Sequence, residues 1–250
     1  MIHSFLLIGQ SNMAGRGFKD DVEPIQNTRL KVLRNGRWQP MYFPVNPDRP
    51  FSGINLAESF ADQYAREHDV EVGLIPCADG GTMLDQWQEG SLLYDHAVYQ
   101  ARLAQRTSTI AGVLWHQGEG DCDDGKYQLY EEKFLKIMAG LRRDLDLYDV
   151  PFLLGGLGDY LVNFPEKVRF IHYKDINSTL KKIANQEPMT GFVSAEGLTS
   201  NPDYLHFCAS ALREFGLRYY KEFCRLADPN KVFVEKQTMD SAIRTEIESL

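Results

Sequence analysis

Several large classes of protein are excluded by what this chain lacks. No apolar run is long enough to span a bilayer. The opening Met1-Ile-His-Ser-Phe-Leu-Leu-Ile has no basic segment and no small-residue cleavage site. It therefore does not read as a signal peptide, and with Met1 as the native start the expected location is the cytoplasm; a removed leader would reverse that. Cys77, Cys122, Cys208 and Cys224 are the only cysteines, and none form Cys-x-x-Cys, so no zinc knuckle or dithiol redox motif is present. They read as free thiols in a reducing compartment, with two disulfides as the alternative. Positive charge is scarce: 27 Lys and Arg against 35 Asp and Glu leave a net charge of −8. That balance argues against a nucleic-acid backbone or an anionic membrane as the main partner. The acidic run Asp121-Cys-Asp123-Asp124-Gly125 lacks calcium-loop spacing, because a Gly sits where a carboxylate should and no Glu closes the loop. It reads as a cap for the following helix, and neither metal nor cofactor is expected. There is no internal repeat and no low-complexity segment.

What is present suits one α/β domain. The chain has 250 residues, 43% of them hydrophobic and 25% charged, which is enough for a sizeable single core. Apolar runs of β type at 3–8, 70–78, 110–117, 151–157 and 190–195 alternate with stretches of helical period. Those stretches fall near 53–67, 94–106, 126–147, 167–185 and 206–226. The strands are apolar on both faces, as buried parallel strands are, and the alternation implies right-handed crossovers. The expected fold is a flavodoxin-like three-layer sandwich around a five-stranded parallel sheet, with residues 1–230 as a single domain. Residues 18–52, holding Pro24, Pro40, Pro44, Pro47 and Pro50 among Trp38, Tyr42 and Phe43, read as an irregular lid or binding loop. The tail at 231–250 keeps Met239, Ile243, Ile247 and Leu250 on one stripe. This predicts a short amphipathic helix, a surface through which copies of the chain could associate.

Four short motifs carry chemistry, each at a strand end or before the last helix, where sites of open α/β sheets lie. Gly9-Gln10-Ser11-Asn12-Met13 follows the first strand. A serine on such a turn points its own N–H toward whatever its hydroxyl attacks, and a helix start favours developing negative charge; a plain helix cap is the other reading. Asp203-Tyr204-Leu205-His206 opens the last helix. A spacing of three lets the carboxylate hold one imidazole nitrogen while the other faces away; an ordinary Asp cap is the alternative. Gly80-Gly81-Thr82 lets backbone approach a ligand and offer N–H groups, and Trp115-His116-Gln117-Gly118-Glu119 places an amide at the third strand end. Either segment is also compatible with an ordinary turn. Arg16 and Glu119 are expected to pair behind the site, His116 to be structural, and Trp87 to pack under the Gly80-Gly81 loop.

Gly-Gln-Ser-Asn-Met, Gly-Gly-Thr, His-Gln-Gly-Glu and Asp-x-x-His, in that order, resemble the four blocks of the SGNH (GDSL-type) hydrolases. The Gln-Ser-Asn-Met and His-Gln-Gly-Glu forms resemble carbohydrate esterase family six and the sialate O-acetylesterase-like domain, over Ile2 to about Leu226. Gln117 departs from the wider pattern, which has Asn there. The resemblance implies a serine esterase that removes O-acetyl groups from a small acetylated carbohydrate, with no cofactor. It implies Ser11 as nucleophile, His206 as base and Asp203 as its orienting carboxylate. It also implies an oxyanion hole from the N–H groups of Ser11 and Gly81 and the side chain of Gln117, with a narrow acetyl pocket. Gln10, Asn12, Arg16, Gly80 and Glu119 would support the site. Two other readings remain: an esterase of another short acyl chain, and a carbohydrate-binding relative without turnover. An α/β-hydrolase nucleophile elbow is not matched, since Gly9-Gln10-Ser11-Asn12-Met13 lacks the second Gly.

Overall fold

The computed structural model describes residues 1–166 and 168–227. The tail helix expected at 231–250, and any association through it, lie outside the described residues. Seven strands form one sheet: β1 (Ile2–Gly9), β2 (Leu30–Arg34), β3 (Arg37–Pro40), β4 (Glu71–Pro76), β5 (Ser108–His116), β6 (Phe152–Gly155) and β7 (Thr190–Val193). Among the described residues six α-helices accompany them: α1 (Ser11–Ala14), α2 (Leu56–His68), α3 (Leu92–Gln105), α4 (Tyr130–Leu145), α5 (Tyr173–Gln186) and α6 (Ala209–Leu226). The strand order is β3-β2-β4-β1-β5-β6-β7, parallel except for the β2–β3 pair.

The expected count of five strands is therefore corrected to seven. The two additions come from the Pro-rich segment, which is not wholly irregular. Leu30–Arg34 and Arg37–Pro40 pair antiparallel around Asn35-Gly36, whose φ angles of 50° and 73° are those of a tight hairpin turn. Pro40 ends this edge strand, where a missing N–H costs no sheet bond.

Side-chain alternation along β5 assigns the layers. Trp115 packs against Trp87 and Phe134 of α4, while the next residue, His116, packs against Phe207 and Phe215 of α6. Successive residues of a strand face opposite sides, so α4 and α6 cover opposite faces of the sheet. On the α6 side, Phe5 of β1 meets Phe60 and Tyr64 of α2 and Phe223 of α6. The same two helices are tied by Arg213 donating to Glu58 over 2.7 Å. Both faces of β1 are thus dry, and residues Phe5 to Ile8 have no exposed surface.

β1 lies between β4 and β5, so the chain leaves it on one side and returns on the other. Such a reversal is the topological switch point at which open α/β sheets place their sites. Gly9 is required there: its φ is +126°, and a Cβ would lie 2.1 Å from the His116 carbonyl oxygen. No helix among the described residues is long and apolar enough to cross a membrane.

Candidate active site

Ser11 begins α1 directly above β1, and α1 is a single turn of four residues. So short a helix has little dipole, and the useful donor is the Ser11 N–H itself. That N–H and the N–H of Gly81 meet no acceptor among the described residues. Ser11 Oγ lies 3.0 Å from His206 Nε2, and His206 Nδ1 lies 2.7 Å from Asp203 Oδ2. The structure brings these three residues, from opposite ends of the chain, into one hydrogen-bonded row.

His206 does not open the last helix. Asp203 Oδ1 accepts the N–H groups of Leu205 and His206 at 2.9 and 3.0 Å, and the His206 carbonyl accepts from Asn201 N–H at 2.7 Å. These bonds commit residues 201–206 to a tight turn, with Tyr204 at φ +52°, so α6 starts three residues later at Ala209. Burial acts to raise the Asp203 carboxyl, but the bonds from His206 and Leu205 N–H and the His206 ring outweigh it. The net effect holds the group below the usual aspartate range. An imidazole between a hydroxyl and an ionised carboxylate can take the hydroxyl proton and be stabilised as imidazolium.

The Gly80-Gly81 turn sits against Ser11: a Cβ on Gly80 would lie 3.4 Å from Ser11 Cβ. Its two N–H groups have different fates. Gly80 donates to Asp48 Oδ2 at 2.9 Å, whereas the Gly81 N–H meets no acceptor among the described residues; a Cβ on Gly81, at φ +80°, would meet nothing within 4 Å. Asp48 is the centre of a buried cluster. Arg16 reaches it with both terminal nitrogens at 3.0 and 2.7 Å, and Ser52 Oγ donates to it at 2.7 Å. Asn46 pairs with both backbone groups of Ala78, and Arg49 donates to the Gly80 carbonyl at 2.9 Å. The segment at 46–52 is therefore a bracket for the Gly80-Gly81 turn.

Two sequence expectations are corrected here. Arg16 pairs with Asp48 rather than Glu119. Gln117 is fully buried, and its amide donates to the Thr82 carbonyl at 3.1 Å and to Asp121 Oδ2 at 2.6 Å. Both its N–H bonds are committed, so it presents no free donor beside Ser11 and instead ties the end of β5 to the Thr82 loop. Trp87 supports the same loop, donating from Nε1 to Thr82 Oγ1 at 3.0 Å.

The remaining expected residues line the back of the site. Gln10 Oε1 accepts from Gly120 N–H at 3.2 Å. Asn12 Nδ2 donates to Glu119 Oε1 at 2.6 Å and to the Leu205 carbonyl at 3.2 Å, while its Oδ1 accepts from Phe207 N–H at 3.1 Å. His116 is buried and bonded from Nε2 to the Gly156 carbonyl, and burial lowers its pKa, which suits structure rather than proton transfer. Asp121, Asp123 and Asp124 diverge, to Leu84 N–H, Lys126 and His172 respectively. Among the described residues no group of three or more His, Cys, Asp or Glu side chains converges on a common point. Sequence reasoning missed Asp48, Asn46, Ser52 and Asn201; the only signal was two Asn-Pro-Asp turns, at 46–48 and 201–203.

A family model described as carbohydrate esterase, sialic acid-specific acetylesterase, matches residues 1–225. A protein of Arabidopsis thaliana named probable carbohydrate esterase is 29% identical over 250 residues, covering 88% of this chain and 91% of its own. The crystal structure of that Arabidopsis protein superposes with a TM-score of 0.79 at 26% identity, covering 89% of this chain and 98% of that one. A carbohydrate acetylesterase from Xanthomonas citri shares the fold, with a TM-score of 0.69 at 18% identity, over 90% of this chain and 56% of that one. The family match and the Arabidopsis relative define an esterase. The chain belongs to the carbohydrate esterase family of sialic acid-specific acetylesterases.

Proposed function

We propose that this esterase removes O-acetyl groups from a carbohydrate through an acyl-enzyme on Ser11. The observation that carries the reading is the row Ser11 Oγ, His206, Asp203, with its gaps of 3.0 and 2.7 Å. His206 Nε2 takes the Ser11 proton as Oγ adds to the acetyl carbonyl carbon, and Asp203 stabilises the imidazolium. The carbonyl oxygen becomes an oxyanion, received by the N–H groups of Ser11 and Gly81. As the intermediate collapses, His206 returns the proton to the sugar oxygen, and the alcohol leaves with the acetyl group on Oγ. Water, deprotonated by His206, then adds to the acetyl carbon, releasing acetate and restoring the Ser11 hydroxyl. The family and the named relatives support the carbohydrate acetyl ester as substrate class.

The test compares wild type with Ser11→Ala, using acetate release from acetylated sugars and hydrolysis of p-nitrophenyl acetate and octanoate. The expected result is loss of acetyl turnover in a folded Ser11→Ala variant, and preference of the wild type for acetyl over octanoyl. Turnover by Ser11→Ala refutes the nucleophile, and a preference for octanoyl refutes the acetyl reading.

A further inference from the structure

We infer that Asn12, the residue after the serine, is the positioning residue that sets the reach of His206, and that Glu119 fixes its orientation. The inference rests on the proposed roles of Ser11 and His206. Its basis is that one side-chain amide holds the peptide groups on both sides of His206. The Phe207 N–H donates to Asn12 Oδ1, and the Leu205 carbonyl accepts from Asn12 Nδ2, so the amide pairs with this segment as a neighbouring strand would.

Ser11 and Asn12 share a peptide bond. Whatever moves Ser11 therefore carries the anchor of His206 with it, and the 3.0 Å gap between hydroxyl and imidazole is held from behind. Asp203 does not do this work. It fixes the shape of the turn and the ring within that turn, but it belongs to the turn and cannot locate it relative to Ser11. The other ties from this turn are weaker or more remote: Tyr160 Oη reaches the Leu205 carbonyl at 3.4 Å, and Asn201 donates to the Arg16 carbonyl.

The amide has one usable orientation. Phe207 N–H needs an acceptor, while the Leu205 carbonyl and Glu119 Oε1 both need donors, so a flipped amide would place like against like at all three contacts. The Glu119 contact is the shortest, at 2.6 Å, and Asn12 has no exposed surface, so the choice is made away from water. This is the kind of support a reacting pair needs, since a misplacement near 1 Å costs about 100-fold in rate.

The test uses the full chain with p-nitrophenyl acetate and with a small organophosphate that titrates Ser11 without a sugar. Asn12→Ala should lower kcat about 100-fold, leave KM within about threefold, and slow organophosphate capture by the same factor as kcat. Glu119→Gln keeps an oxygen for Asn12 Nδ2 and should lose far less activity than Glu119→Ala. Asn12→Asp should be the most impaired above neutrality and recover relative to wild type as pH falls, when the introduced carboxyl is protonated and can again donate to Glu119. Melting curves and circular dichroism give the folded fraction in each case. A folded Asn12→Ala with kcat within threefold of wild type overturns the inference. So does an activity loss in all variants that only tracks the folded fraction, or equal losses in Glu119→Gln and Glu119→Ala. A Ser11→Ala control that still turns over would instead overturn the underlying mechanism, which keeps the two failures apart.

Discussion

Replacing Asp48 by Ala tests how the Gly80-Gly81 turn is held. The carboxylate and its partner are both buried, with side-chain exposures of 4% and 5% for Asp48 and Arg16. Removing one member of such a pair leaves an uncompensated charge away from water, at a cost of about 3–5 kcal/mol. For a domain of this size that lowers Tm by roughly 6–20 °C. Gly80 N–H loses its acceptor in the same step, so the adjacent Gly81 N–H should wander and kcat should fall about 10–100-fold. A second variant separates these effects. Arg16→Met with Asp48→Leu removes both charges and keeps the volume, which should restore most of the Tm, while kcat stays low because Gly80 N–H still has no partner. Differential scanning calorimetry beside steady-state kinetics reads both. A Tm loss under about 3 °C in Asp48→Ala would refute the buried-pair argument, and recovery of kcat in the double variant would refute the link to the turn. The pH dependence has a definite sign. Burial acts to raise the Asp48 carboxyl, but hydrogen bonds from Arg16 and Ser52, the Arg16 charge and Gly80 N–H together lower it. Its stabilisation is therefore complete above the ordinary aspartate value near 4 and is lost as pH falls through the depressed one. Asp48→Ala should flatten that acid limb.

Gln117→Ala should act mainly on stability, since it opens a buried cavity and strips donors from Asp121 and the Thr82 carbonyl. A loss of roughly 2–4 kcal/mol is expected in chemical denaturation, and an unchanged midpoint with a collapsed kcat would return Gln117 to the oxyanion. His172 lies between Asp175 and Asp124 at 2.9 and 2.8 Å, and the Asp175 bond foremost raises its pKa above the ordinary 6.5. The tie it makes between residue 124 and α5 is thus complete below about pH 6.5 and lost as pH rises through the raised value. An NMR titration should show this raised midpoint, which Asp175→Asn should lower; a His172 midpoint at or below about 6.5 in wild type would refute the pairing.

The parallel core is legible because its strands are dry on both faces, so each reads as an unbroken apolar run such as Phe5 to Ile8. The hairpin was legible too, through Asn35-Gly36, the dipeptide that most favours a two-residue turn, but five prolines nearby argued for a loop. The partner of Arg16 was not legible. Asp48 lies 32 residues away in a segment without periodicity, and only the fold brings it under Gly80. Gln117 illustrates a different failure. Its place at the end of β5 follows from the sequence, but the direction of its amide depends on Asp121 and Thr82, whose nearness the spacing does not reveal. The start of α6 was displaced for a local reason, since an Asp three residues before a His caps a helix or closes a turn equally well, and Asn201 decides between them.

The central position of β1 has a consequence for synthesis in the cell. Of the seven described strands, the one made before the others belongs in the middle of the sheet, with β4 on one edge and β5 on the other. Neither neighbour exists until more than 60 further residues have been added, β4 beginning at Glu71 and β5 at Ser108. At about 5–20 residues per second, the strand waits roughly 3–12 s for its first partner and longer for the second. During that interval the run from His3 to Ile8 carries two unsatisfied edges and two apolar faces, which is the profile of a segment that pairs with other nascent chains. Yield at high expression should then be governed by the exposure of this one strand before β4 arrives, rather than by the stability of the finished domain.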